Sequence, residues 1–181
     1  MEPTAMIGTI GHSSRTAQEL IGLLKAEGAE RLVDVRARPG SRRFPWFGRR
    51  PLARHLEEAG IGYRHCPAFG GKRESAADSP HQGLARVWQR AYADWMESSE
   101  FRCALEVLIA EAETMRVVLM CAEGDPRQCH RWLIADALFC RGVMVRHWGT
   151  PVGSVDHAGS DSLVCLDGWP AYPFRLAAPS G

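Results

Sequence analysis

Short apolar runs alternate with stretches of helical spacing along most of the chain, and this alternation constrains the fold more than any other feature. MIGTI is a predicted strand ending at Gly11, and TAQELIGLLKAEG carries Leu and Ile at helical spacing up to Gly28. RLVDVR is the next strand, followed by the loop ARPGSRRFPWFGRR. PLARHLEEAG begins with Pro51, tolerated in a first turn, and ends its helix at Gly60. IGYRHC is the third strand, before the polar loop PAFGGKRESAADSPHQG. Helices are predicted over Leu84–Met96 and Glu100–Ala112, then the strand RVVLMCA. Asp125 as N-cap and Pro126 at the first helical position predict a helix running to Gly142, and VMVRHW is a fifth strand.

The expected fold class is therefore α/β: a Rossmann-like, mainly parallel sheet of about five strands with helices on both faces. Residues 1–148 are expected to form one domain, and 149–181 an appendage packed on it with one strand at SLVCL. In such folds ligands bind beyond the carboxyl ends of the strands. Four unusual segments fall at those ends: GHSSR, RARPGSRRFPWF, HCPAFGGKR and CAEGDPRQCHR. Distant in sequence, they converge on one rim.

Composition narrows the function classes. Apolar residues at 45%, charged residues at 24% and a net charge of +1 describe a soluble protein without a global demand for nucleic acid or anionic lipid. No apolar run approaches a membrane span, and MEPTAMIGTIGHSS lacks the pattern of a signal peptide. The six cysteines show no secreted framework, and a chain of 181 residues needs no disulfides to hold a core, so a reducing cytoplasm is expected. Charge is nonetheless local: from Arg36 to Arg73 there are ten Lys and Arg against only Glu57 and Glu58.

The segment from Cys121 to Arg131 crowds two cysteines, a histidine, two acids and two arginines into eleven residues. A thiol in a helix's first turn can be stabilised as thiolate by free amides, which makes Cys129 a candidate, with Cys121 facing it from the strand end. Either can equally be a small buried apolar residue. CAEGDPR matches C-x5-R, the spacing of oxyanion cradles, but Glu123 and Asp125 would repel phosphate there, so chance spacing is the better account. Zinc ligand types occur at His12, His65-Cys66 and Cys129-His130, yet paired spacing such as C-x2-C is absent and chain neighbours project differently. The loop RARPGSRRFPWFGRR mixes arginines with Phe44, Trp46 and Phe47; it suits a small anionic ligand better than nucleic acid, because no extended basic face accompanies it. In YADWM, Trp95 and Met96 are core residues on the plain account, and Met96 is a soft thioether ligand for haem iron on the sharper one.

TIGHSSRTAQEL, LVDVRARPGSRRFPWF, YRHCPAFGGKR, YADWMESSEF and LMCAEGDPRQCHRWLIADALFCRG together resemble domain-of-unknown-function family 488, over about Thr9 to Trp148. The resemblance implies a small bacterial cytoplasmic α/β protein and a non-covalent haem with a thioether-type ligand. Met96 is then the first candidate ligand, with Cys121, Cys129 and His130 in reserve. Arg36, Arg42, Arg43 and Arg131 would hold its anionic groups, Trp95 would flank it, and His12 or His130 would line the distal side of a redox or peroxide-activating centre. The alternative is a thiol-dependent enzyme on a phosphorylated or nucleotide-like substrate. There Cys121 or Cys129 is the nucleophile, Glu123 or His130 the acid/base, and Arg36, Arg42 and Arg131 the anion clamps. A third possibility is a nucleic-acid accessory module resting on the basic aromatic loop.

Overall fold

The computed structural model describes residues 5–74 and 76–174. Six strands form the main sheet in the order β3-β2-β4-β1-β5-β6. They are β1 Met6–Gly11, β2 Arg31–Asp34, β3 Gly62–His65, β4 Val117–Cys121, β5 Met144–Thr150 and β6 Gly153–Asp156. The first five are mutually parallel, and β6 joins β5 antiparallel. The expected Rossmann-like α/β sheet is thus present with one strand more, made by part of the expected appendage. The SLVCL strand becomes β7 Val164–Leu166, paired with β8 Trp169–Ala171 in a separate hairpin.

Alternation along each strand divides the core. Val117, Leu119 and Cys121 of β4 belong to a cluster with α3 Val87–Met96, α4 Ser99–Ala112 and α5 Arg131–Cys140. Val118 and Met120 face the opposite way, into a cluster with Leu20 and Leu24 of α1 Ala17–Ala26 and with Leu52 and Leu56 of α2 Arg49–Glu58. Helices therefore cover both faces, each fully buried Leu or Phe side chain contributing about 1.5–3 kcal/mol. Among the described residues no helix is long and apolar enough to cross a membrane.

Two expectations need correction. The helix predicted to start at Asp125-Pro126 is interrupted. Asp125 accepts from the Arg127 N–H at 2.9 Å and caps only a 3-10 turn over Pro126–Gln128. Cys129 is then extended, with φ −133° and ψ 148°, before α5 begins. Cys129 thus precedes the helix instead of lying in its first turn. The cysteines are also not all free: Cys140 at the end of α5 is disulfide-bonded to Cys165 in β7, while Cys66, Cys103, Cys121 and Cys129 carry thiols.

Registration places the strand ends level. Gly11 stands opposite Cys121, and Asp34 opposite both Met120 and His65. The segments that follow β1, β2, β3 and β4 leave the sheet at the same edge.

Candidate active site

At that edge a cleft of about 730 Å³ opens. His12, Ser13 and Ser14 line it from the β1 loop, Arg36, Arg38 and Arg43 from the β2 loop, and Lys72 from the β3 loop. Cys121, Glu123 and His130 line the β4 side, and Trp88 and Phe44 add aromatic surface. The segments that follow β1, β2, β3 and β4 supply most of the cleft wall, and Trp88 joins it from α3.

The β1 loop is stitched to β4 by backbone bonds, His12 N–H to the Cys121 carbonyl at 2.9 Å and Ser13 N–H to the Ala122 carbonyl at 2.8 Å. Ser13 takes a left-handed backbone at φ 50°, an uncommon conformation for a residue with a side chain. Gly11 is obligatory, because a Cβ there would collide with the backbone carbonyl of Glu123. The His12 ring stacks on Phe47 at 4.2 Å between centroids. Its Nδ1–H donates to the Ser13 carbonyl at 3.0 Å, and Arg36 Nη1 points at its Nε2 from 3.5 Å. Burial lowers the His12 pKa, with the Arg36 charge adding to it, so this imidazole is a neutral group.

Arg36 is committed within the protein. Its guanidinium meets Asp34 in a bidentate pair, Nε to Oδ1 at 2.9 Å and Nη2 to Oδ2 at 2.6 Å, and Nη2 also donates to the Phe47 carbonyl at 2.9 Å. Tyr63 donates to the same carboxylate at 2.8 Å. Burial works against the Arg36 charge, and the Asp34 bonds overcome it and raise its pKa. Arg36 therefore fixes the root of the β2 loop. By contrast, Arg38, Arg43 and Lys72 make no ion pair among the described residues; Arg43 rests 5.3 Å over the Phe44 ring.

On the β4 side four side chains converge. The Cys121 thiol donates to Glu123 Oε2 at 2.9 Å. His130 Nδ1 is 4.0 Å from Cys121 Sγ and 3.7 Å from Cys129 Sγ. The other ring nitrogen, Nε2, lies 2.9 Å from the Val35 carbonyl, which can only accept, so Nε2 carries a proton and Nδ1 faces the two sulfurs. The neighbouring Cys129 thiol and burial push the Cys121 thiol well up. Burial alone would raise the Glu123 carboxyl, but the bonds from Cys121, the backbone and Cys129, with the His130 charge, together outweigh it and hold the group below the ordinary carboxylate range. Burial alone would lower the His130 pKa; the Cys121 sulfur, the Val35 bond and the Glu123 charge raise it instead. The β3 loop closes over this group, for a Cβ at Gly71 would run into the His130 ring.

Of the residues singled out in the sequence, His12, Arg36, Arg43, Cys121, Glu123 and His130 line the one cleft. Cys129 stands just behind it, reached through His130. Four others lie elsewhere. Arg42 is exposed and outside the lining. Arg131 is buried and donates to the Glu123 and Gly124 carbonyls at 2.7 and 3.1 Å, so it holds the β4 loop. Trp95 donates to the Ala68 carbonyl at 2.8 Å and is covered by Arg73, which holds the β3 loop. Met96 is 1% exposed in the core cluster that includes Phe69, Tyr92 and Phe101, away from the cleft lining. Arg38 and Lys72, in two of the rim segments, and Asp34, an acid ending an apolar strand, are functional residues that the sequence does not single out. Arg127, the arginine of C-x5-R, lies 5.3 Å over the Trp132 ring and lines a separate pocket, so that spacing makes no cradle around Cys121.

The family described as Domain of unknown function DUF488 matches residues 16–138 of the chain. No curated protein and no solved structure matches it.

Proposed function

Taking as premise that the chain belongs to the DUF488 family, we propose that it is a thiol-dependent enzyme acting on a small phosphorylated or nucleotide-like anion in the rim cleft. The observation that carries this reading is the pairing of two features in one cleft. Three cations, Arg38, Arg43 and Lys72, have no carboxylate partner among the described residues, and the Cys121 thiol sits on Glu123. Unpaired cations beside a partly dry cleft suit phosphate oxygens. Trp88 and Phe44 offer flat apolar surface to a ring carried on the same substrate. The reaction depends on the Cys121 sulfur, whose proton the unprotonated His130 Nδ1, 4.0 Å away, is placed to take; Cys121 and Cys129 both carry thiols.

A haem held through Met96 does not fit this molecule, because the thioether is enclosed in the core and does not reach the cleft. The reserve ligands Cys121, Cys129 and His130 converge on one another, an arrangement that suits a single small ion better than the face of a macrocycle.

Calorimetric titration with inorganic phosphate and with nucleoside phosphates tests the cleft. Arg38→Ala and Lys72→Ala should each weaken binding about tenfold, the loss expected of one charge-assisted bond. Arg42→Ala should leave it unchanged, and Cys121→Ala should bind the anion yet lose turnover. Equal affinity in the Arg38→Ala/Lys72→Ala double variant would overturn the reading. Tighter, strongly salt-dependent binding of duplex DNA would redirect it to nucleic acid.

A further inference from the structure

We propose that Cys121 Sγ, Cys129 Sγ and His130 Nδ1 form a three-ligand site for a zinc-class divalent cation whose fourth position opens on the rim cleft. The three ligand atoms lie within 4.8 Å of one another, and their residues are 3%, 2% and 8% exposed. Chain neighbours seldom serve one ion, but here Cys129 is extended while His130 is helical, and the change of backbone turns both heads inward.

A second, independent observation supports a ligand. His130 Nε2–H is bound to the Val35 carbonyl at 2.9 Å, the outer contact that fixes a metal-ligating imidazole's tautomer and aims its free nitrogen. Two thiolates balance the charge of a dication, so filling the site buries no net charge. Two sulfurs and one imidazole select zinc-class ions over calcium or magnesium, and three protein ligands with one open position is the arrangement of catalytic zinc. Cys121 and His130 line the cleft, so the open position faces Glu123 and the anion. On binding, each thiol loses its proton, one passing through Glu123, and both protons are released to solvent. The inference rests on the cleft reading only for what occupies the fourth position, and it makes the Cys121 sulfur a ligand.

The test uses the full chain, reduced, stripped with chelator and titrated with Co²⁺. One equivalent should bind with thiolate-to-cobalt charge-transfer absorption in the near ultraviolet and tetrahedral bands in the visible. About two protons should be released per ion. Cys129→Ser and His130→Ala should weaken binding at least about 100-fold, and Cys103→Ser should not. Should those variants fail to fold, Gly71→Ala keeps every ligand but presses on the His130 ring, and should weaken binding at least about tenfold. Cobalt bound without thiolate absorption, or bound as tightly by Cys129→Ser, overturns the site. Phosphate binding that persists in a protein refusing cobalt overturns the metal alone. Cobalt binding that persists in a protein refusing phosphate overturns the anion cleft alone.

Discussion

Met96 ends α3 with its thioether enclosed by the core that Phe69, Tyr92 and Phe101 share, so truncating it leaves a cavity. Met96→Ala is expected to cost roughly 2–5 kcal/mol in urea unfolding while phosphate affinity stays as in the parent. A stable Met96→Ala protein with altered ligand binding would move this side chain from the core to the site. The same contrast explains what the sequence could convey about single residues. His12, Cys121, Glu123 and His130 were legible because each ends or follows a strand in a polar knot. The free charge of Arg38 and Lys72 was not legible, since Arg36, in the same arginine-rich loop as Arg38, is consumed by Asp34. Nor could spacing show that Cys129 and His130 aim at one point, because that depends on the dihedral angles at their junction.

Among the elements, α1 starts on a capping box that its sequence spells out. Thr16 Oγ1 accepts from the Glu19 N–H at 3.2 Å, and Glu19 accepts in turn from the Thr16 N–H at 2.6 Å. Thr16→Ala should therefore lower stability by about 1 kcal/mol in thermal or urea unfolding. Asp125→Ala should lower it less, since the cap there serves one 3-10 turn and not α5. An equal loss in the two variants would show that Asp125 holds more than its own turn. Strand and helix periodicity made the five parallel strands and the five helices legible. β6 was missed because GSVD is exposed throughout and carries no apolar alternation; only its pairing with β5 makes it a strand.

Over the whole molecule, one buried chain of polar groups ties the sheet to the C-terminal segment. Asp136 on α5 accepts from His157 Nε2 at 2.9 Å, and His157 Nδ1 accepts from His147 Nε2 at 3.0 Å. His147 Nδ1 then accepts from the Thr9 hydroxyl at 2.7 Å, and Ser160 and Tyr172 donate to the other Asp136 oxygen at 2.5 and 2.9 Å. Burial and the adjacent His157 lower the His147 pKa to about 3 from the ordinary 6.5. Folded protein therefore keeps this imidazole neutral while the unfolded chain protonates it. Its contribution to stability is complete above pH 6.5 and falls as pH drops towards 3, by up to about 1.4 kcal/mol per pH unit. Urea unfolding at pH 7, 6, 5 and 4 should show that slope, and His147→Gln should flatten it; an unchanged slope in the variant would place the acid sensitivity elsewhere.

The strand order carries a further consequence, in the time the chain takes to be made. β1 precedes the other described strands along the chain, yet it sits in the middle of the sheet between β4 and β5. A nascent chain leaving the ribosome must therefore carry MIGTIG without its sheet partners until Val117–Cys121 has emerged, about 5–20 s later at roughly 5–20 residues per second. Through that interval the apolar strand is available to the wrong neighbour, and the cleft cannot exist until both of its central walls have been translated.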